Sequence, residues 1–366
     1  MKEHDADNRY LVGTLDKGLE VLEQLERAGR PLNIQQITDA SGVQRGAVYR
    51  LLYTLAKRGY VIRLPNKKYA PVMRRRQVTF GYMAPLTGSA YRSELVVGLR
   101  SAAELRHVGL QILDNLEDDV DVSLRNAQSL IDSRIDLAIM FEPVGYVGHV
   151  VANRFLLAEI PLVAVDTPIP GALYFGSNNF QAGELAGRAL GEFCLERWEG
   201  RYDRLILIES STAGAGAQAR VTGVLEGLRE CAGDVAPSRV VHLDGRAHTA
   251  ESRNALSDLL MQLPAEARLL ISCFNDLAVL GALQALRKAG RVADVAVVGQ
   301  SAGVETRAEL RDPESPLVAA IGYFPERYGE KLISLGLSVV NQERVPPSCY
   351  TEHVVLTRAN IGQYYG

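Results

Sequence analysis

The chain has 366 residues, with 40 Lys and Arg, 43 Asp and Glu, and a formal net charge of −3. Its length exceeds that of a typical single domain, and its 47% hydrophobic and 23% charged residues exclude wholesale disorder and fibrous repeats. No apolar run reaches the roughly 18 residues that cross a bilayer, and the polar start lacks the apolar core of a signal peptide. We therefore expect a cytoplasmic protein of two or three domains with no membrane partner.

The near-neutral total hides a strong asymmetry of charge along the chain. Residues 1–76 hold 15 basic and 8 acidic residues, a net charge of +7, whereas the remainder holds 25 and 35, a net charge of −10. The sharpest stretch, residues 41–76, has ten basic residues and no acidic one. A compact basic unit indicates a polyanionic partner, most often nucleic acid. A solvated surface that is basic without any partner is the alternative.

The first helix is predicted from the spacing of its leucines. Leu15, Leu19, Leu22 and Leu25 recur at helical intervals, with charged residues between them. We expect these four side chains to form the inward face of an amphipathic helix that ends at Gly29.

The next segment predicts two more helices and a hairpin. Asn33 stands three residues before Gln36, which is typical of a capping box at a helix start. The short helix that follows ends near Gly42, at a tight turn. Residues 44–58 predict the third helix, and residues 60–71 predict two short strands joined by a turn.

Three helices followed by a basic hairpin predict a winged helix-turn-helix, which binds DNA by placing a helix in the major groove. Small or polar residues at the leading end of the third helix would let its backbone approach the bases. Tyr49 could instead pack on the first helix, and Arg50 could be an ordinary exposed charge. The predicted DNA contacts are Gln44, Arg45, Gly46, Tyr49 and Arg50 on the helix, with Arg63, Lys67 and Lys68 on the wing.

Residues 10–72 resemble the DNA-binding domain of IclR-type regulators. The most specific matching stretches are Leu15-Asp-Lys-Gly-Leu, Gly46-Ala-Val-Tyr-Arg-Leu-Leu and Gly59-Tyr-Val. The resemblance implies a domain over residues 1–72 that binds double-stranded operator DNA. Gly46 departs from the family, which often has Ser or Thr there, so base contacts cannot be transferred. The arginine-rich residues 73–77 are predicted to be a linker.

The remainder of the chain, residues 78–366, alternates apolar runs with amphipathic stretches of 10 to 20 residues. This pattern is typical of repeated strand–helix units around parallel sheets that are buried on both faces. The segment is too long for one simple sheet, so we expect an α/β body of two doubly wound lobes. Strands are predicted at 78–83, 110–113, 137–141, 162–165, 205–208, 240–243, 269–271, 295–298, 318–321 and 354–356.

Ligands of such sheets bind at the carboxyl ends of the strands, where this sequence has polar, charged and aromatic residues. Carboxylates, amides and guanidinium groups can hold paired hydroxyls, while aromatic rings cover the C–H face of a sugar. The pattern therefore predicts a site for a small polyol. The candidate residues are Ser89, Tyr91, Arg92, Glu142, Asp166, Arg220, Asn275, Ser301 and Tyr323.

Residues 78–357 resemble the type I periplasmic-binding-protein superfamily, which includes ribose-type sugar-binding proteins and the effector domains of lactose-repressor-like regulators. The resemblance implies that Asp166, Arg220 and Asn275 contact a ligand and that Tyr91 stacks on it. The matching segments are residues 160–166, 177–183, 220–223, 274–282 and 297–300.

Two positions depart from this superfamily. Ser301 stands where sugar-binding members commonly have Asp, and Tyr323 stands where many have an amide. Because Arg92 and Arg220 are both predicted near the site, an acidic or modified sugar is a hypothesis. A calorimetric comparison of neutral sugars with uronic acids tests it.

The other motifs in the sequence give weaker evidence of function. Gly214, Gly216 and Ala219 follow a predicted strand as in a dinucleotide-binding turn, but Ser210–Ala213 intervene where that turn should be immediate. We interpret the segment as a loop of small residues leading to Arg220. The six histidines lack metal-ligand spacing, the four cysteines form no CxxC pair, and no nucleophile motif is present. No cofactor, metal or catalytic role is predicted.

The sequence predicts a transcription regulator that responds to a small sugar, polyol or sugar acid. Palindromic operators need two DNA-binding heads at a fixed spacing, so we expect a homodimer or homotetramer. The alternative is a sugar-type solute-binding protein of a transport system. An enzyme on the same fold is a third possibility, and it would turn over the bound molecule.

Overall fold

The computed structural model describes residues 11–72, 77–86, 90–116, 119–211 and 213–366, without the side chains of residues 215 and 217. The chain divides into two compact units, residues 1–76 and residues 77–366. None of the described helices combines the length and apolar character that a membrane crossing requires.

The first unit is a three-helix winged fold. An antiparallel hairpin follows the helices, and Leu32 bridges to its second strand at Tyr69. Its core is formed by Val21, Leu25, Ile37, Val48 and Leu52, together with smaller contributions from the hairpin. The elements are α1 (Gly13–Ala28), α2 (Ile34–Ser41), α3 (Arg45–Lys57), β1 (Val61–Arg63) and β2 (Tyr69–Pro71).

The predicted helix boundaries around α2 are confirmed. The Asn33 side chain accepts the Gln36 backbone N–H at 2.9 Å, and the Gln36 side chain accepts the Asn33 N–H at 3.0 Å. This reciprocal pair satisfies two N–H groups that a helix start otherwise leaves unpaired. Gly42 ends α2 in the left-handed conformation, with φ of 65°. Such a turn favours glycine because it has no Cβ.

The prediction for the inward face of α1 is partly wrong. Leu15 is 61% exposed and Leu19 is 50% exposed, whereas Gly18, Val21 and Leu25 are buried. A Cβ on Gly18 would lie 3.5 Å from a methyl group of Leu51 in α3, an ordinary van der Waals distance, so Gly18 faces α3. The buried stripe therefore follows Gly18, and the leucines on either side of it turn away from the core.

The second unit contains two lobes, each built on a six-stranded sheet, as predicted for a doubly wound body. The strand order is β13-β7-β6-β5-β3-β4 in lobe 1 and β14-β12-β11-β10-β8-β9 in lobe 2. Every described pairing in the two sheets is parallel except that of β14 with β12. Lobe 1 contains β3 (Thr79–Ala84), β4 (Gly109–Asp114), β5 (Leu137–Met140), β6 (Leu162–Val165), β7 (Leu173–Gly176) and β13 (Ser348–Tyr350); lobe 2 contains β8 (Arg204–Glu209), β9 (Val240–Asp244), β10 (Leu269–Cys273), β11 (Val295–Gln300), β12 (Leu317–Gly322) and β14 (Val354–Leu356).

Helices cover both faces of each sheet, so each lobe has two apolar clusters, one on either side. This burial explains the continuous apolar runs in the sequence. The helices of lobe 1 are α4 (Ala90–Leu105), α5 (Val120–Asp132), α6 (Gly145–Leu157) and α12 (Tyr328–Val340); those of lobe 2 are α7 (Asn179–Trp198), α8 (Gly214–Ala232), α9 (Thr249–Leu260), α10 (Asp276–Lys288), α11 (Val304–Arg311) and α13 (Ile361–Tyr364).

In the described part of the second unit, the chain passes between the lobes three times, from β7 to α7, from β12 to α12 and from β13 to β14. The crossovers contact one another. Thr351 donates its N–H to the carbonyl of Gly176 at 2.9 Å, and Asn178 donates its N–H to Nε2 of His353 at 3.1 Å. The His353 ring lies 4.8 Å from the Tyr323 ring. Hydrogen bonds therefore join the first and third segments, and the contact between the Tyr323 and His353 rings adds the second. We call these three segments the hinge.

Candidate functional site

The leading end of α3 is exposed in the first unit. The side chains of Gln44, Arg45 and Arg50 are exposed, and a Cβ on Gly46 would meet open space. Tyr49 is 54% exposed, so its ring is not buried against α1. The end of this helix can therefore approach a flat or grooved partner closely.

The hairpin adds further positive charge to the first unit. Arg63 and Lys67 are exposed and Lys68 is half-buried. Lys67 adopts φ of 58° at the tip, and the Leu64 N–H donates to the Lys68 carbonyl at 2.8 Å, which closes the turn. We use the name basic face for Arg45, Arg50, Arg63, Lys67 and Lys68. A set of exposed cations without acidic neighbours in sequence suits contact with phosphate groups.

The strongest polar centre of lobe 1 is Asp166, directly after β6. Its Oδ1 accepts the Ser177 N–H at 3.0 Å, and its Oδ2 accepts the Tyr91 hydroxyl at 2.5 Å. Burial raises the pKa of Asp166, and the bonds from Tyr91 and Ser177 oppose that rise. The carboxylate is thus a buried acceptor held in a fixed orientation.

Tyr91, near the start of α4, lies between the two lobes. Its ring packs against the lobe 1 cluster and also against a lobe 2 cluster. The ring of Tyr328 meets it edge to face at 6.0 Å, and Phe141 lies 6.4 Å away. A second contact joins the lobes, because Arg307 of α11 pairs with Glu94 of α4 at 3.0 Å.

Arg220 of α8 presents the corresponding cation from lobe 2. Its Nε donates to Oδ1 of Asn179 at 2.6 Å, and its Nη1 donates to the Phe274 carbonyl at 3.0 Å. The guanidinium lies over the rings of Phe274 and Tyr323, at 4.7 Å and 5.2 Å from their centroids. Arg220 also lowers the pKa of Asp166 electrostatically, so the charges of the two predicted residues act on each other.

The backbone of α8 can reach this position because α7 has glycine where the helices touch. A Cβ on Gly183 would lie 2.0 Å from the carbonyl oxygen of Arg220, and one on Gly223 would lie 2.2 Å from that of Phe180. Neither contact is possible for a larger residue without separating the helices.

Two more predicted residues of lobe 1 are buried charges. Glu142, after β5, is 3% exposed and Arg92 of α4 is 8% exposed. The Glu142 carboxylate accepts the Val144 N–H at 3.1 Å, and Asn115 lies 3.5 Å from its other oxygen. Buried charges of this kind are expensive unless they are paired, so they mark a built polar site.

The predicted residues of lobe 2 are largely engaged within that lobe. Asn275 accepts the Ala278 N–H at 2.9 Å as the cap of α10, and its Nδ2 donates to the Ala247 carbonyl at 3.1 Å. Ser301 adopts φ of 72°. The Tyr323 hydroxyl donates to Oε1 of Gln300 at 2.7 Å.

The structure therefore brings Tyr91, Asp166, Arg220 and Tyr323 together where the lobes meet, and it places Asn275 and Ser301 at neighbouring strand ends of lobe 2. Ser89 lies outside the described residues. Three contributors were missed from the sequence, and their signal was their position directly beside a candidate residue or at a crossover. They are Asn179, Phe274 and His353.

The remaining motifs show no reactive arrangement. No group of three or more His, Cys, Asp or Glu side chains in the described ranges could hold a metal ion. Burial raises the pKa of the Cys273 thiol, which disfavours the thiolate that a nucleophile needs. Asp244 is engaged by Ser211, whose hydroxyl donates to it at 2.5 Å and whose N–H donates at 3.2 Å.

Several solved structures with the same fold are solute-binding proteins that contain a bound sugar or polyol. An ABC transporter solute binding protein from Mycobacterium smegmatis with bound glycerol has a TM-score of 0.69 at 21% identity, covering 79% of this chain and 97% of that chain. One from Bacillus halodurans C-125 with bound myo-inositol has a TM-score of 0.66 at 17% identity, covering 79% and 97%. At these identities the likeness shows the fold alone.

A D-ribose/D-allose-binding protein of Pseudomonas aeruginosa is 26% identical over 200 residues, which is 51% of this chain. The match spans only 59% of that protein's length. The model of the IclR helix-turn-helix domain matches residues 14–65. The model of the periplasmic binding protein domain matches residues 80–344. The chain therefore belongs to the periplasmic binding protein domain family and carries an IclR helix-turn-helix domain ahead of that domain.

Proposed function

We propose that this protein is a cytoplasmic transcription regulator whose binding to operator DNA is controlled by a small sugar or polyol. One observation carries the proposal: a single chain combines an exposed basic face on a helix-turn-helix unit with a two-lobed body whose charged residues meet between the lobes. A body of this family serves as a sensor when it is joined to a domain that binds DNA. The transport alternative gives the helix-turn-helix unit no role.

The signal would arise from a shift in the population of lobe arrangements. Asp166 approaches from lobe 1 and Arg220 from lobe 2, so an effector that bonds to both stabilises the closed arrangement. The same two residues contact the first crossover, through Ser177 and Asn179. Closure is thereby linked to the hinge. Two copies of the chain would hold two DNA-binding units at the spacing of a palindromic operator, as a homodimer or homotetramer.

The charges of the site favour a neutral effector over a sugar acid. Two carboxylates, the partly buried Asp166 and the buried Glu142, balance two guanidinium groups, Arg92 and Arg220. A uronic acid would add a negative charge without a spare cation to neutralise it. The glycerol, myo-inositol and D-ribose/D-allose of the similar proteins are neutral, which agrees with this preference.

A thermal-shift screen of neutral sugars, polyols and sugar acids, followed by calorimetry, tests the sensor. Selection of bound duplexes from a random DNA pool tests the other unit. We expect a neutral sugar or polyol to raise the melting temperature and to change the affinity for the selected DNA. A protein that binds no DNA duplex, or turns over the bound sugar, contradicts the proposal.

A further inference from the structure

Five tyrosines, four of them buried and Tyr91 partly buried, lie within the electrostatic reach of the Asp166 carboxylate. Burial and then Asp166 are the first causes that raise the pKa of Tyr82, Tyr91, Tyr174 and Tyr328, and Asp166 also acts on Tyr323. Such a cluster surrounds the charged centre of lobe 1 with phenol groups, each of which can donate one hydrogen bond.

Four of these hydroxyls have partners inside the protein. Tyr91 donates to Asp166 at 2.5 Å, Tyr174 to the Ser177 carbonyl at 2.7 Å, and Tyr323 to Gln300 at 2.7 Å; Tyr328 lies 3.4 Å from the Thr351 hydroxyl. The fifth hydroxyl, that of Tyr82, is fully buried and has no hydrogen-bond partner anywhere in the described ranges. Leaving a buried hydroxyl unpaired costs about 1–3 kcal/mol, so a partner from outside the chain would be stabilising.

The place of Tyr82 in the sheet puts its side chain in the apolar cluster against which Tyr91 also packs. Tyr82 lies on β3 two residues before the strand ends, on the face that it shares with Val165, the neighbour of Asp166. A tyrosine side chain is as long as roughly two residues of strand rise, and side chains in strands lean along the strand. The charges of both Asp166 and Arg92 act on its phenol, in opposite directions. Tyr91, which packs against the same apolar cluster, bonds to Asp166, and this bond places the cluster beside the candidate site.

We propose that the Tyr82 hydroxyl is an effector-binding group that donates a hydrogen bond to an oxygen of the bound sugar or polyol on the lobe 1 side. An effector rich in hydroxyls can accept from Tyr82 while it donates to Asp166, so it satisfies both groups at once. This inference rests on the proposed function and assigns a residue of that same site. It also gives a role to the Tyr82 hydroxyl, which makes no hydrogen bond within the apolar cluster around it.

Calorimetry with D-ribose, D-allose, glycerol and myo-inositol on the full chain tests the assignment, using Tyr82→Phe beside Tyr174→Phe. Tyr174 is the matched control because its buried hydroxyl has an internal partner. For the sugar that the unmodified protein binds most tightly, we expect Tyr82→Phe to weaken the affinity about tenfold, the worth of one lost hydrogen bond. Its melting temperature without sugar should be unchanged or higher. Tyr174→Phe should lower the melting temperature and leave the affinity unchanged.

The outcomes separate this inference from the function on which it rests. If Tyr82→Phe binds the sugar as tightly as the unmodified protein, Tyr82 is a core residue and the inference is wrong, while the sensor function stands. If Tyr82→Phe instead melts at a lower temperature without sugar, its hydroxyl has an internal partner and the inference is wrong as well. If the unmodified protein binds none of the sugars and polyols in the thermal-shift screen, the proposed function fails, and the role of Tyr82 fails with it.

Discussion

Asp166 shows how a candidate binding residue can carry a cost in stability. The residue adopts φ of 58°, and a Cβ at Gly176 would lie 2.5 Å from its Oδ1, so the chain around it admits no bulk. Burial raises its pKa, which means that the folded protein holds the charged carboxylate at a cost. Residues of this kind are retained where a ligand recovers the cost.

Replacing Asp166 with Asn should stabilise the protein at neutral pH and abolish its response to sugar. The folded-state pKa of Asp166 lies above its unfolded value, so its contribution to the free energy of unfolding is greatest at low pH and falls as the pH rises. We expect Asp166→Asn to gain about 1 kcal/mol near pH 7 and to lose this advantage toward pH 4. Urea denaturation across that range measures the effect. Parallel stability curves for the two proteins would show that burial of the charge carries no cost.

At the scale of elements, the sequence predicted most strands and misassigned one helix face. All ten predicted apolar runs coincide with strands, because buried parallel strands need continuous apolar residues. The two strands that were missed, β7 and β13, have four and three residues, and β13 contains only Ser, Cys and Tyr. In α1 the leucine spacing was regular, but the buried stripe runs through Gly18, Val21 and Leu25, and Gly18 faces α3. Hydrophobic periodicity does not reveal a contact made by glycine.

The pairing of α7 with α8 leads to a prediction about Gly183. A Cβ there would lie 2.0 Å from the Arg220 carbonyl oxygen, which is backbone and cannot move aside alone. Gly183→Ala should therefore push the two helices apart, cost about 1–3 kcal/mol of stability, and displace Arg220 from Asn179. We expect a weaker affinity for sugar, measured by calorimetry, together with a lower urea midpoint.

Gly216 on α8 provides the matched control for Gly183. A Cβ at Gly216 would lie 3.5 Å from Pro168, which is an ordinary contact. Alanine at that position should stabilise the helix by about 0.5–1 kcal/mol. If Gly183→Ala were as stable as Gly216→Ala and bound sugar normally, the close helix contact would have no part in placing Arg220.

In the whole molecule, the boundary between the basic and the acidic part of the sequence coincides with the boundary between the two compact units. The basic residues 1–76 and the acidic remainder correspond to the two compact units, and the repulsion between an acidic body and phosphate would keep that body off DNA. The two family domains could be anticipated from short motifs. The internal bonds of the site could not, because Asn179, Phe274 and Gln300 are brought to Arg220 and Tyr323 only by folding. The role proposed for Tyr82 could not be predicted from the sequence either, because a tyrosine inside a strand predicts only a buried side chain.

If the first unit binds DNA and the second binds sugar, variants in the two units should have opposite effects. Arg45→Ala with Arg50→Ala should weaken binding to the selected DNA and reduce the salt dependence of that binding by about one to two released counterions. The thermal shift caused by sugar should stay unchanged, because both residues lie in the first unit. Asp166→Ala or Arg220→Ala should have the opposite effect. The affinity for DNA in the absence of sugar should stay intact, but adding sugar should no longer change that affinity. Gel-shift titrations at several salt concentrations, paired with calorimetry, measure both. Loss of sugar affinity in the double arginine variant, or of sugar-free DNA binding in Asp166→Ala, would show that the units do not divide recognition in this way.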